Sequence, residues 1–243
     1  WGERPVGIAT AARYAQQRGM KVMLKPQLWT HDQWIGDLNF DNEVDWTTFE
    51  KQYRQFITKW AKFADSLEIE LLCIGTEIRH AVQSRPAYWR QLIRDLRTIY
   101  SGALTYAPNW DSYQKVPFWD QLDYIGVDAY FPLIDADTPS VCALKEAWKT
   151  QVAILSAFAK KHQKKLLFTE YGYLSVDGAA YNTWELEAKK AQLAVNEQAQ
   201  ANALQALIET FAKEDWWAGG FLWKWYPSSS AALGEGSWKR DYT

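Results

Sequence analysis

Apolar positions along this chain switch between two periods, and the switch repeats several times. From Pro5 to Arg18 they recur at helical spacing, with Ile8, Ala11, Ala12 and Ala15 on one face and Gly19 as the stop, which predicts a helix. Lys21 to Leu28 is then a short apolar run of strand character that ends at Trp29, and a loop rich in Asp, Asn and Gly covers His31 to Asn42. Asp45 is the expected N-cap of a long amphipathic helix, whose buried stripe is Trp46, Phe49, Tyr53, Phe56, Ile57, Trp60 and Phe63. Ile69 to Gly75 has the length and composition of a buried strand. Pro86 suits the first turn of another helix, with Trp89, Leu92, Ile93, Leu96 and Ile99 on its inner face.

The alternation continues. Ala103 to Ala107 predicts a strand, a connection runs through Phe118 and Trp119, and Tyr124 to Tyr130 predicts another strand. A helix carries Leu144, Trp148, Val152, Leu155 and Phe158, and Leu166 to Thr169 is a strand that ends at Glu170. Thr183 to Lys213 reads as helix with one break, Ala218 to Trp225 as the last strand, and Tyr226 to Thr243 as loop. Buried strands separated by helices, with no hairpin signals between them, predict a parallel sheet covered by helices. A barrel and a doubly wound open sheet both fit this order. The dinucleotide-binding version of the open sheet is disfavoured, because no Gly-rich phosphate loop follows any strand.

A length of 243 residues suits one domain, 1–243, and is close to the usual size of an α/β barrel. With 48% hydrophobic and 23% charged residues the chain can bury a large core. Lys and Arg number 27 against 29 Asp and Glu, so no excess of charge points to nucleic acid or an anionic membrane as partner. Cys73 lies in an apolar run and reads as a buried thiol; with Cys142 it makes neither a disulfide framework nor a metal spacing. No apolar run reaches the roughly 18 residues that a membrane span needs. The chain opens at Trp1 rather than Met, so some N-terminal sequence is expected to be missing, and the want of a signal peptide leaves the compartment open. The 15 Trp residues are unusual. Packing accounts for most of them, but flat aromatic faces also stack on the apolar faces of sugar rings.

In a barrel, function collects at the C-terminal ends of the strands. The residues just past the apolar runs are Lys25, Gln27, Trp29 and His31; Thr76, Glu77, Arg79 and His80; Asn109 and Trp110; Asp128 and Tyr130; Glu170, Tyr171 and Tyr173; and Trp223, Lys224 and Trp225. These sets are polar and aromatic, which is the composition of a sugar cleft. Two carboxylates stand out, Glu77 and Glu170, each in a Thr-Glu step at the end of a buried strand, where an unpaired charge is costly. A single such Glu is more often a salt-bridged strand end; two of them among aromatics suggest glycoside cleavage. That chemistry needs one carboxyl to protonate the leaving oxygen and, in a retaining enzyme, a second to attack the anomeric carbon. The pattern calls for no cofactor and no metal.

Four motifs carry a resemblance: Gly75-Thr76-Glu77-Ile78, Val127-Asp128-Ala129-Tyr130-Phe131-Pro132, Phe168-Thr169-Glu170-Tyr171-Gly172-Tyr173, and Gly219-Gly220-Phe221-Leu222-Trp223-Lys224-Trp225-Tyr226-Pro227. They resemble glycoside hydrolase family 113, whose characterised members are β-mannanases in a clan of retaining (β/α)8 barrels, and Lys21 to Pro26 is similar to the family's third strand. The resemblance implies a TIM barrel that lacks its first two strand-helix units and its last helix. It implies an acid/base at Glu77 after strand four and a nucleophile at Glu170 after strand seven. Tyr130 would hydrogen-bond the nucleophile, and Trp223 or Trp225 would form the sugar platform. Lys25, Trp29, Thr76, Asn109, Trp110, Asp128 and Tyr173 complete the expected set against a β-linked oligo- or polysaccharide. Many members of the clan have Asn where Thr76 stands, so Thr76 or Asn109 is expected to take over its contact to the sugar 2-hydroxyl. Polysaccharide hydrolysis commonly takes place outside the cytoplasm, which favours an extracytoplasmic or secreted setting.

Three other readings compete. Glu77-Ile78-Arg79-His80 spells a di-iron helix pattern, but the chain has no second copy. A sugar-binding barrel without chemistry would use the same aromatics but has no need of two isolated carboxylates. The same chemistry on a β-glucan or xylan also fits the residues.

Overall fold

Helices and strands alternate along the chain in the computed structural model, which describes residues 4–30 and 33–224. Two compact units form, one of Trp1–Pro108 and Ser112–Ile125, the other of Asn109–Asp111 and Gly126–Thr243.

The first unit holds α1 (Pro5–Gln16), β1 (Met23–Leu24), α2 (Glu43–Ser66), β2 (Leu71–Thr76), α3 (Arg79–Ser84), α4 (Pro86–Arg97) and β3 (Ala103–Ala107). Its strands form a parallel sheet in the order β1-β2-β3. Every residue of β2 is buried, as its unbroken apolar run requires. The run from Lys21 to Leu28 yields only the two-residue β1, because Pro26 has no N–H to give to a ladder. The N-cap of α2 is Asn42 and not Asp45. The Asn42 side-chain oxygen accepts the Asp45 N–H at 3.0 Å, while its amide donates to the Asp45 carboxylate at 2.8 Å, so Asp45 occupies the third helical position.

On α2 the inner stripe is narrower than its aromatic pattern predicts. Trp46, Tyr53, Ile57, Ala61 and Ala64 are buried, and the two alanines let the helix approach closely. Phe49, Phe56, Trp60 and Phe63 are half-buried; Phe49 stacks on Tyr53, and Phe56, Trp60 and Phe63 meet edge to edge along the flank. The core beneath is aromatic: Trp89 stacks on Phe118 with ring centres 6.0 Å apart and meets Tyr53 at 5.2 Å and Tyr106 at 5.9 Å. Buried polar tips find backbone partners, Tyr53 donating to Ile74 O at 2.8 Å and Trp89 to Ala81 O at 3.2 Å. The short helix α3, just past Glu77, has too few residues to announce itself by period and is absent from the sequence expectation.

The second unit holds β4 (Ile125–Asp128, from Gly126 on), α5 (Val141–His162), β5 (Leu166–Tyr171), α6 (Thr183–Lys189), α7 (Glu197–Phe211) and β6 (Trp217–Leu222). Its sheet order is β4-β5-β6, with β5 and β6 parallel. Ser140 caps α5 and Asn196 caps α7, each accepting an N–H three residues on. The expected break in the stretch from Thr183 to Lys213 is present: a 3-10 turn at Lys190–Gln192 ends α6, and Asn196 restarts the chain as α7. α5 and α7 pack over β5 through Trp148, Phe211 and Phe168, whose rings meet at 5.0 and 4.8 Å. Six strands in all lie among the described residues. No helix among them is long and apolar enough to cross a membrane.

Candidate active site

In the first unit, β2 ends in the step Gly75-Thr76-Glu77. Gly75 sits where three aromatic side chains converge, and a Cβ there would lie 2.8 Å from the Tyr53 hydroxyl and 3.2 Å from the Tyr106 ring. Only a residue without a side chain fits without displacing that floor. Burial pushes the Tyr106 phenol well above its ordinary value, and Tyr53, Cys73 and Glu77 add to the rise, so a neutral phenol lies under the step.

Glu77 itself turns into the left-handed region with φ of 55°, an uncommon place for a side-chain-bearing residue. Its backbone is held there from both sides: its N–H donates to Ala107 O at 2.7 Å and its carbonyl accepts from Arg79 N at 2.8 Å. Strained backbone of this kind persists where the surroundings over-determine it, and it concentrates at functional sites. The carboxylate is half-buried, and its Oε2 accepts a 2.8 Å hydrogen bond from the indole N–H of Trp34.

A cleft of about 210 Å³ opens here, lined by Gln27, Leu28, Trp29, Thr30, Gln33, Trp34, Ile35, Thr76 and Glu77. Of the expected site residues, Trp29, Thr76 and Glu77 thus share one concavity. Trp29 is exposed, while the Thr76 hydroxyl is buried and has no hydrogen-bond partner among the described residues. Lys25, one residue past β1, is half-buried. Trp34 is absent from the sequence expectation; its signal there is a tryptophan in the Asp-, Asn- and Gly-rich loop.

In the second unit, Glu170 is the penultimate residue of β5, where the register against β6 shifts between Phe168 and Tyr171, and it is 8% exposed. Oε2 accepts the Tyr130 hydroxyl at 2.8 Å, and the Glu170 carbonyl accepts Ala129 N at 2.7 Å, so side chain and backbone are both tied to the segment after β4. Beneath lies a buried pair in which the Thr169 hydroxyl donates to Asp128 Oδ1 at 2.8 Å. Asn109 bridges to Asp128 in parallel register, which brings the loop after β3 to the same strand ends. Trp110, next to it, lies 5.7 Å from Phe131 and 5.5 Å from the exposed ring of Trp184, a second aromatic that the sequence reading passed over. Trp223 donates its backbone N–H to Tyr171 O at 2.7 Å and packs with Tyr130 against the buried Leu174 and Val176.

Tyr173 occupies the interior of the second unit. It is 2% exposed, its carbonyl accepts from Gln200, and burial pushes its phenol up. Trp225 and His31 lie outside the described residues.

Among the described residues no group of three or more His, Cys, Asp or Glu could hold a metal ion. The Glu-x-x-His spelling also has no helical geometry, since Glu77 precedes α3 in left-handed conformation and His80 instead lies 3.9 Å from Asp37.

The model of Glycoside Hydrolase Family 113 matches residues 5–243. A β-mannanase of that family from Alicyclobacillus acidocaldarius, solved in complex with ManMIm, superposes with a TM-score of 0.82 at 29% identity, over 98% of this chain and 73% of the other. A second β-1,4-mannanase of the family, also solved as a complex, gives a TM-score of 0.81 at 28% identity with the same coverage. These likenesses support a TIM-barrel-like α/β fold. A fungal β-1,4-galactanase, 13% identical with a TM-score of 0.59 over 99% of this chain and 77% of its own, is similar in fold alone. No curated protein sequence matches the chain.

Proposed function

The chain belongs to glycoside hydrolase family 113, and from that premise we propose that it cleaves β-1,4-linked mannan by double displacement, with Glu170 as nucleophile and Glu77 as acid/base. The observation that carries the reading is the Glu170 carboxylate, nearly buried at a strand end and held at one oxygen by the Tyr130 phenol. That phenol fixes the orientation of the carboxylate at the end of its strand. In the first step it attacks the anomeric carbon, while Glu77 gives its proton to the departing glycosidic oxygen. In the second step Glu77, now ionised, takes a proton from water, whose oxygen displaces Glu170 from the anomeric carbon. The two inversions restore the original β configuration.

Sugar binding follows from the same residues. Trp29 and Trp223 offer ring faces, and the Thr76 hydroxyl, without a hydrogen-bond partner among the described residues, would bond a sugar hydroxyl. Asn109 and Trp110 would contribute from the loop after β3, Lys25 from the end of β1, and Trp225 from the segment after β6. The buried Asp128 would act through Thr169, and Tyr173 by packing.

Two measurements test this. Proton NMR of mannotetraose hydrolysis should show the β anomer as first product, and a 2-deoxy-2-fluoro-β-mannosyl fluoride should leave its sugar on the peptide containing Glu170. An α first product, or a label elsewhere, removes Glu170 from the nucleophile's role. Turnover of a β-glucan or xylan in place of mannan would keep the chemistry and change the substrate.

A further inference from the structure

A column of aromatic rings runs through the second unit from its helical layer to its surface. Phe211 of α7 meets Trp148 of α5 with ring centres 5.0 Å apart, Trp148 meets Phe131 at 5.6 Å, Phe131 meets Trp110 at 5.7 Å, and Trp110 meets Trp184 at 5.5 Å. Burial falls along the column. Phe211 and Trp148 are fully enclosed, Phe131 is 2% exposed, Trp110 is half-buried, and Trp184 is 45% exposed. The inner rings meet edge to face, as rings in a packed core do, whereas the planes of Trp110 and Trp184 are inclined by 30°.

Trp184 thus has a ring on one side and water over much of the rest, yet its segment is firmly placed. Asn182 turns the chain through left-handed backbone into α6, and Thr183 is fully buried. Leu186, two positions past Trp184 and so on the opposite side of the helix, packs on Leu174 and Val176. That same pair carries Trp223 and Tyr130, the phenol on the Glu170 carboxylate. The Ala180 carbonyl accepts Leu133 N at 2.9 Å, which ties the approach to α6 to the segment after β4. Asn109, next to Trp110, bridges to Asp128, and Asp128 accepts the hydroxyl of Thr169, the neighbour of Glu170. Both tryptophans therefore stand on segments that share their footing with the catalytic strand end.

We infer that Trp184, backed by Trp110, is the platform of an outlying sugar subsite, stacking on a pyranose ring of the bound chain that does not take part in the bond that breaks. The inference rests on the glycosidase reading given above. In a β-linked pyranose the hydrogens of C1, C3 and C5 point to one face, which makes that face apolar and suits it to an indole. The column holds the ring before the sugar arrives, so little rotamer freedom is lost on binding. A stacked ring moves no proton. Its effect is on binding, grows with substrate length, and vanishes for a substrate too short to reach it.

The test compares mannohexaose with dinitrophenyl β-mannoside, which has one sugar ring and fills only the positions on either side of the reacting bond. Trp184→Leu keeps apolar bulk and removes the flat face, while Trp184→Tyr keeps a face. Trp184→Leu should lose about 5- to 30-fold in kcat/KM on mannohexaose, the worth of taking one ring face out of water. The loss should sit in KM with kcat near that of the parent, and the aryl mannoside should change by less than about twofold on the same scale. Trp184→Tyr should recover most of the loss. Both variants should keep the parental Tm, since much of the ring lies outside the packing.

Equal losses on the two substrates, a loss in kcat instead of KM, or no loss on mannohexaose would overturn the inference and leave Trp184 the outer end of a packing column. Cellohexaose and xylohexaose are run beside mannohexaose. If the parent cleaves one of these instead, the mannan reading fails, and Trp184→Leu is judged on that hexaose and its aryl glycoside. If the parent cleaves none, the glycosidase reading fails, and calorimetric titration of the three hexaoses decides the platform: weaker binding in Trp184→Leu upholds it, and equal binding or none overturns it.

Discussion

Glu77 and Glu170 each follow a buried apolar strand and a threonine, yet the chain holds them by different means. Glu170 is still inside β5, with extended backbone and a phenol from the segment after the neighbouring strand on its carboxylate. Glu77 has left β2, turned into left-handed backbone, and met an indole that arrives on a loop. The first arrangement takes its rigidity from the sheet. The second takes it from a closed set of local contacts, Trp34 on Gly36, Arg79 on Trp34, and Asp37 on Arg79. A carboxylate that must attack one carbon is well served by a strand. One that gives a proton and later takes one back is met here by a partner that can only donate.

The difference can be broken most severely at the strand-held end. Glu170→Gln keeps size and hydrogen bonding but removes the nucleophile, and kcat should fall by at least ~10⁴-fold, a typical loss for a covalent catalyst. Burst experiments with a dinitrophenyl substrate should find no glycosyl-enzyme. At the loop-held end, Glu77→Gln should cost about 10²- to 10⁴-fold on mannotetraose, the range of general acid–base catalysis. Its deficit should shrink as the leaving group becomes more acidic, which the deficit of Glu170→Gln should not. A series of aryl mannosides separates the two slopes, and parallel slopes would end the division of roles.

Tyr130→Phe tests the partner of the strand-held carboxylate. Loss of a hydrogen bond to a charged group predicts a drop of about 10- to 100-fold in kcat/KM. The drop should fall on activated and unactivated substrates alike, in contrast to that expected of Glu77→Gln. Gly75→Ala tests the floor under the loop-held one. A methyl facing the Tyr53 hydroxyl at 2.8 Å should destabilise the chain by about 1–3 kcal/mol, the usual cost of overpacking, read as a lower Tm. A Tm equal to that of the parent would show that the three rings yield freely.

The smallest effect concerns pH. Burial pushes the Tyr53 and Tyr106 phenols well above their ordinary value. Both therefore keep their protons in the folded state at a pH where the unfolded chain has lost them. Their contribution to stability is complete below the unfolded value of about 10 and declines as pH rises beyond it. Denaturant titrations above that pH should show a falling stability, and Tyr53→Phe should flatten the fall by about one proton, or ~1.4 kcal/mol per pH unit.

Much of this arrangement is legible in the residues. The order of helices and strands, the stop at Gly19, Pro86 in a first turn, the strand Ala103–Ala107 and a single break between Thr183 and Lys213 all follow from period and turn chemistry. These are local decisions, settled within a few residues of chain. Errors fall where a distant or competing partner intervenes. β1 shrinks at a proline, Asn42 wins the cap from Asp45, and Tyr173 turns inward because its ring completes the packing of its unit.

The candidate site divides along the same line. That Glu77 and Glu170 stand at the ends of apolar strands is written in the sequence, since an unpaired carboxylate after such a run has to emerge at an edge. That Tyr130 meets Glu170 across 40 positions could be anticipated only through family resemblance. Nothing in the local sequence places Trp34 on Glu77, because the two are 43 positions apart and the intervening segment carries the whole of α2. Period and turn chemistry determine which residues stand at strand ends; which oxygen of a carboxylate is held, and by what, is decided only when the sheet and its loops close, because a hydrogen bond depends on distance and angle between groups that the chain itself keeps far apart.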